Sequence, residues 1–553
     1  MRLRYVALFA FFAGMNSSAV AQNARFEECD GYRPPRGNWD GMSSRATLFG
    51  GRGSEPEREQ PSLSGNGVEA CTSALTDPAL VAAFGQRRAS LLQARAMHRV
   101  AAGDRPGALA DLELADQAIG EDPYGRRSLG LGTRLLRAFV QLDAGERVAA
   151  AENARAIIDA REFEPGLGLA AAQIHLAATR DWATYTMHVR RFARTNPALL
   201  ISLFAIASTR GNFSEAVEIY PQIVISTPRN RGGYQIQDLL QRRVQNMSMA
   251  VDLGGAYAYA LAAIGRREDA DAAIAAARTT LELAIAPPQP PAGRTQPTSE
   301  QRREHEAFVR AGSEAAPMIE RWHRLVRLRG LVDAGNAQAA IADLVSGGPI
   351  GTDGASLDFV RALARSSPRE TEELAPVIAT MEQTIAASLS EMTEPKVGNM
   401  LNALPEAENA NTSPTLRSMS EMARLWNGND DGYRAGAIGV GGVRTIRFAS
   451  RRGSVGSTAE MALLSAAWLA RQSGSAGLLV LDKRQMTRTI VTTTIYGGAV
   501  GSQANGQEVE IDVMFVDPSA LPAAYASARW RVLDVGAVIE ALSPIYRSAP
   551  QGP

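Results

Sequence analysis

The residues of this chain whose types suit catalysis or metal binding are few. They are five histidines (His98, His175, His188, His305 and His323), two cysteines (Cys29 and Cys71) and three carboxylates placed at strand positions near the C-terminal end, Asp482, Asp512 and Asp517. A zinc protease needs two histidines four apart on one helix face with a glutamate after the first, and a structural zinc needs four Cys or His ligands at close spacing. Neither pattern occurs in the sequence. All five histidines precede residue 324, so no Ser-His-Asp triad can be assembled within the C-terminal region. The glycine run Gly436, Gly439, Gly441, Gly442 precedes a strand instead of joining strand to helix, and it lacks the Lys-Ser/Thr of a phosphate loop. It reads as a flexible entry to the last domain. Gly453-Ser454-Val455-Gly456-Ser457 does precede a helix, where free amides can hold an anion, but it reads more simply as a loop with a helix cap. No catalytic, cofactor-binding or metal-ligating residue is therefore expected, and no cofactor.

The cysteines suit a different chemistry. The chain opens on Met1-Arg2-Leu3-Arg4, continues through the uncharged apolar stretch from Tyr5 to Gly14, and reaches Ala19-Val20-Ala21. That order is the one a secretory signal peptide has, so residues 1–21 are expected to be removed and the product to be periplasmic or secreted. The apolar part spans about ten residues against the roughly 20 that a membrane helix needs, and no membrane span is expected. In an oxidising compartment two cysteines pair. A Cys29–Cys71 disulfide would close a loop of about 42 residues, worth roughly 4 kcal/mol in chain entropy.

Charge narrows the partners. The 58 basic and 58 acidic residues cancel, which is not the balance of a nucleic-acid binder. Lys396 and Lys483 are the only lysines; the preference for arginine, with abundant alanine and glycine, reads as codon usage in a GC-rich genome. Arg190, Arg191 and Arg194 lie together on one helix and read as a solvated face.

The elements that would carry these residues are mostly helices in repeated pairs. Counting from Gly103, Ala96 lies seven residues before, and Ala108, Leu112 and Ala115 lie five, nine and twelve after. The same offsets from Gly265 reach Ala258, Ala270, Ile274 and Ala277; from Gly211, Phe204, Ala216, Tyr220 and Ile223; from Gly145, Ala138, Ala150, Ala154 and Ile157. A weaker copy surrounds Gly335, with Leu328, Ala340 and Leu344. Small residues let two antiparallel helices approach, the larger ones fill the space beside them, and the glycine suits a left-handed turn between them. This pattern resembles the tetratricopeptide repeat, a helix-turn-helix of about 34 residues. Phe213 and Pro228 fit the Gly211 unit further, and Trp182 and Pro197 stand in the same relation to Arg180, which marks a degenerate unit over about 167–197 without its turn glycine. The resemblance covers roughly residues 85–285, with one more unit near 320–346, at irregular spacings.

The resulting fold class is mainly α, a helical-hairpin superhelix of tetratricopeptide-repeat type with a small C-terminal α+β domain. The expected parts are a signal peptide (1–21), an irregular arm (22–70), the repeats (71–285), a Pro-rich linker (286–304), a further helical segment (305–426) that Pro368, Pro376, Pro395 and Pro405 break into short helices, and the α+β domain (432–548). In the last, strands are expected over 443–449, 477–482, 488–496 and 508–517, with a helix opened by a capping box at Ser457–Glu460 and a closing helix capped by Asp534. The residues Glu460–Ala470, Leu478–Asp482 and Val535–Leu542 resemble a small α+β domain of some bacterial envelope lipoproteins, a family without agreed chemistry. This domain is expected to fold alone.

The expected function is that of an exported, non-catalytic scaffold that binds a protein or peptide partner. Stacked pairs rotate and form a concave face lined by the first helix of each pair. Arg95, Arg99, Arg134, Arg137 and Gln141 fall there and suit an acidic segment. The alternative is an envelope hydrolase with the helices as platform and its site at the C-terminal acids, which a pocket with paired acids near Asp482 would favour.

Overall fold

The protein is seen in a computed structural model that describes residues 24–32, 34–35, 63, 65–225, 236–293, 295–348, 350–366, 368–409, 413–416, 432–451, 453–493 and 499–546. The expected signal peptide lies outside the described residues, as does most of the arm. The chain is mainly helical, with a small antiparallel sheet towards its C-terminal end. It divides into two units: Met1–Asn196, Glu394–Leu521 and Arg531–Pro553 make the first, Pro197–Thr393 and Pro522–Trp530 the second.

The first unit begins with helices α1 (Gly65–Leu75), α2 (Gly85–Ala101), α3 (Arg105–Ile119), α4 (Leu131–Asp143), α5 (Arg147–Ala160), α6 (Pro165–Thr179) and α7 (Trp182–Ala193). The hairpins α2–α3 and α4–α5 turn at Gly103 and Gly145, whose φ values of 82° and 83° are left-handed. A Cβ at either glycine would meet nothing within 4 Å, so backbone conformation and not space selects the residue. Ala96, Ala108, Leu112 and Ala115 of the first hairpin and Ala138, Ala150, Ala154 and Ile157 of the second are fully buried, as their offsets require. The degenerate unit is a hairpin too. Arg180 takes the left-handed turn with φ 59°, the only non-glycine to do so among the described residues. Asp181 then caps α7 by accepting from the Ala183 and Thr184 amides at 3.0 and 3.1 Å. Successive hairpins pack on one another, α4 against α2 and α3, and α6 against α4 and α5. At the start, Cys29 and Cys71 are disulfide-bonded. Residues 24–30 are helical and bury Phe26 and the ion pair of Asp30 with Arg87.

The second unit comprises α8 (Leu199–Thr209), α9 (Phe213–Ile219), α10 (Ile236–Ala263), α11 (Arg267–Ile285), α12 (Ser299–Asp333), α13 (Ala337–Gly347), α14 (Gly354–Ala364) and α15 (Pro368–Thr393). Left-handed glycines at 211, 265 and 335 again divide the pairs. Helices α10 and α12, of 28 and 35 residues, account for the irregular spacing. Thr298 opens α12 by a capping box with Gln301. The expected break at Pro376 does not occur: α15 runs through it for 26 residues. Glu372 and Pro376 are both exposed, so the carbonyl that loses its donor faces solvent.

The sheet belongs to the first unit. After α16 (Val397–Asn402) come β1 (Gly432–Ile438), β2 (Val443–Ser450), α17 (Val455–Gln472), β3 (Gly477–Thr493), β4 (Ala499–Val516), β5 (Leu533–Asp534) and α18 (Val535–Leu542). The order is β1-β2-β4-β3-β5, all antiparallel. Helices α17 and α18 cover one face over a core that includes Phe448, Leu464, Val480, Val513 and Phe163, the last from the helical part. Two differences from the sequence reading stand out. The glycine run is not a flexible entry but the tip of the β1–β2 hairpin. The segments expected as strands over 477–482 and 488–496 form one strand, β3, with a bulge between Val480 and Asp482. The bulge puts Lys483 opposite Ile511 on the helix-covered face, and Asp482 and Arg484 opposite Asp512 and Glu510 on the other.

Candidate functional site

On the helical part of the first unit, a cleft of about 390 Å³ lies between the end of α3 and the start of α4. Ile119 and Leu131 form its apolar portion, and Arg126, Arg134, Arg137 and Asp116 bring polar groups to it. It forms because α3 ends at the left-handed Gly120, and a turn of π type at Arg126–Gly130 then leads into α4. Arg126 donates to the Gly120 carbonyl at 2.8 Å and so caps α3. Arg137 pairs with Asp116 at 2.6 Å. Arg134 is exposed. The other surface residues expected from sequence are used within the fold. Arg95 makes a two-pronged pair with the buried Asp111, at 2.6 and 2.9 Å, and Arg99 joins the same carboxylate at 3.3 Å. Gln141 accepts from Asn153 at 2.9 Å. The structure thus brings Arg134 and Arg137 to one cleft and places Arg95 and Arg99 together at Asp111.

A second cluster, unsuspected from sequence, is buried between the helices and the sheet lobe of the same unit. Glu460 of α17 receives Arg127 at 2.6 Å, Arg161 at 3.2 and 3.3 Å, and the Tyr546 hydroxyl. Arg161 also reaches Glu408 at 2.9 Å, and Ser454 donates to the same carboxylate oxygen at 2.5 Å. Burial by itself would push the Glu460 carboxyl up, but Arg161 and then Arg127 outweigh it and hold it at about 2. Burial likewise works against the Arg161 charge, yet Glu460 and Glu408 raise it well above its ordinary value. Burial, followed by the Glu460 charge, raises the Tyr546 phenol well above its ordinary value, so it serves as a neutral donor. Burial also lowers the Lys483 amine, against the pull of Glu164 and Glu460. The arrangement keeps its ions ionised, which suits a clamp and not a proton relay. Glu460, expected as part of a capping box, does not cap: Ser454 does, accepting from the Ser457 amide at 3.0 Å. The helix starts one turn earlier than expected, which carries Glu460 inside it.

The acids on the open sheet face are also engaged. Asp482 stands opposite Asp512. Arg484 spans them, at 3.3 Å from Asp482, 2.5 Å from Asp512 and 3.0 Å from Glu510. Asp517 accepts from Ser519. No family model, curated protein or solved structure matches this chain. Its chemistry therefore rests on these contacts. Among the described residues no group of three or more His, Cys, Asp or Glu converges as metal ligands would. No helix there is long and apolar enough to cross a membrane. Three of the histidines are packing groups: His98 is buried with Nε2 3.0 Å from the Cys29 carbonyl oxygen, and His175 and His188 meet edge to face at 5.9 Å. Arg191 pairs with Asp159 and Glu162, and Arg194 donates to the Val532 carbonyl at 2.9 Å, so two of the three arginines read as a solvated face serve the packing of the unit.

Proposed function

We propose that the protein is an exported, non-catalytic scaffold of the bacterial periplasm or cell envelope, whose helical hairpins form a surface of tetratricopeptide-repeat type for an acidic protein segment. The arginine-lined cleft at Arg126, Arg134 and Arg137 carries the reading. It has the size of a small binding pocket and an apolar wall; of its three guanidinium groups Arg126 is paired with Glu121 and Arg137 with Asp116, so Arg134 is the one that would meet a ligand. Arg134 is exposed beside it, and a guanidinium there can take a carboxylate in two-pronged fashion. Opposite-sign contacts at such a rim set association rate and specificity, while a buried anchor supplies affinity. The disulfide suits an oxidising compartment. The hydrolase alternative draws on the facing Asp482 and Asp512, but the Arg484 bridge ties up both carboxylates. The test is binding of fluorescent peptides with several adjacent Asp or Glu residues to the full chain and to Arg134→Glu. Reversing one exposed charge should weaken binding about tenfold or more, with the melting curve unchanged. Equal binding by both would move the surface elsewhere.

A further inference from the structure

The charges around the cleft at the end of α3 nearly cancel, and the balance narrows its ligand. Arg126 is paired with Glu121, and Arg137 with Asp116 at 2.6 Å and with Glu113 at 3.6 Å. Arg134 is exposed and forms no hydrogen bond or ion pair with any described residue. Three guanidinium groups therefore stand against three carboxylates, and Arg134 holds the one positive charge without a local partner. The carboxylates are not hidden. The side chains of Glu121 and Glu113 are 88% and 66% exposed, so a ligand that approaches Arg134 meets them too. The cleft is also small: about 390 Å³ lies near the lower end for binding pockets.

We infer that this cleft takes a single carboxylate from a stretch of partner protein that has no second acid beside it, and that adjacent acids weaken the fit. The inference rests on the reading of the cleft as the binding surface, and it narrows the ligand from an acidic segment to an isolated acid. One carboxylate pairs with Arg134 in two-pronged fashion. A second finds Arg126 and Arg137 already engaged, and it faces the exposed Glu113 and Glu121. Like charges across a contact repel, and such repulsion is how a surface rejects close relatives of its ligand. A run of acids thus adds cost and no new pair. Ile119 and Leu131 supply an uncharged wall beside the guanidinium, which suits an uncharged neighbour of the acid.

The experiment is fluorescence anisotropy of the full chain with two labelled peptides of equal length. One carries a single Glu among uncharged residues, and the other carries three adjacent Glu residues. The single-acid peptide should bind at least as tightly as the three-acid one, and Arg134→Glu should weaken it about tenfold or more. In Glu113→Gln/Glu121→Gln the three-acid peptide should gain about two- to fivefold over the single-acid one, because the repulsive rim is gone. Both glutamates lie at the surface, so this variant should keep the wild-type melting curve. Suppose the three-acid peptide binds the wild type tighter by about threefold or more, and Arg134→Glu abolishes the binding. The cleft then stands as the binding surface and the isolated-acid inference falls. An unchanged peptide preference in the Gln variant overturns the inference in the same way. If neither peptide responds to Arg134→Glu, the cleft is not the surface and both readings fall.

Discussion

Glu460 is the residue on which the first unit turns. It has no exposed surface, it is ionised, and its four partner contacts come from two arginines and a tyrosine distant in sequence. Glu460→Gln keeps the size but removes the charge, leaving Arg161 and Arg127 beside a neutral amide. Breaking one side of a buried ion pair costs about 3–5 kcal/mol, and urea unfolding of the variant should show a loss of that order. The pH dependence has a definite sign. The carboxyl is depressed in the fold from 4.5 to about 2, so its stabilisation is fully present above 4.5 and is lost as pH falls towards 2. The wild type should weaken over that window, and the Gln variant should show a correspondingly shallower slope when both are followed by thermal melting. Arg134 illustrates the opposite case. It is exposed beside its cleft, so its replacement should change binding and leave the fold alone.

Among the elements, the hairpins show how a repeat tolerates a missing residue. Gly103, Gly145, Gly211, Gly265 and Gly335 all sit at left-handed turns, and in the α6–α7 hairpin Arg180 does the same work at a cost in strain. A non-glycine residue in that region costs about 1 kcal/mol. The Asp181 cap and the packing of Val189 and Phe192 hold the turn in place regardless. Arg180→Gly should therefore raise stability by about 0.5–1 kcal/mol, against the usual entropic penalty of glycine, because only the strained conformation is relieved. A midpoint shift to higher urea would show it, and a shift to lower urea would mean that Arg180 makes contacts that outweigh its strain. These turns were legible from sequence because a helix C-terminus and a small-residue offset are local features. The β3 bulge was not legible, since an extra residue in a strand leaves no local mark until its partner strand is in place.

At the scale of the whole chain, the first unit joins residues far apart in sequence. Phe163 lies in the sheet core, and Arg127 and Arg161 meet Glu460 and Glu408 beside it. A fragment of residues 432–546 would expose that side of its core and strand Glu460 without a counter-charge. The fragment alone should lack the sharp melting transition of the full chain, whereas co-expression with residues 22–196 should restore it. A cooperative melt of the fragment by itself would show that the network is an accessory to an independent domain.

What the sequence by itself determined is what short-range physics controls. Helical hairpins follow from glycine turns and alanine offsets, the disulfide from the only two cysteines of the sequence, and the sheet lobe from alternation of Val509, Ile511 and Val513 with Glu508, Glu510 and Asp512. What only the tertiary structure decided is which charges are spoken for. Arg95 and Arg99 looked free along the helix face, yet Asp111 lies sixteen residues from Arg95 on the next helix and takes both. The Arg161–Glu460 pair spans 299 residues. Periodicity fixes the direction of a side chain about its own axis. An ion pair requires a second element to arrive at about 3 Å, and that distance is set by packing of the whole unit.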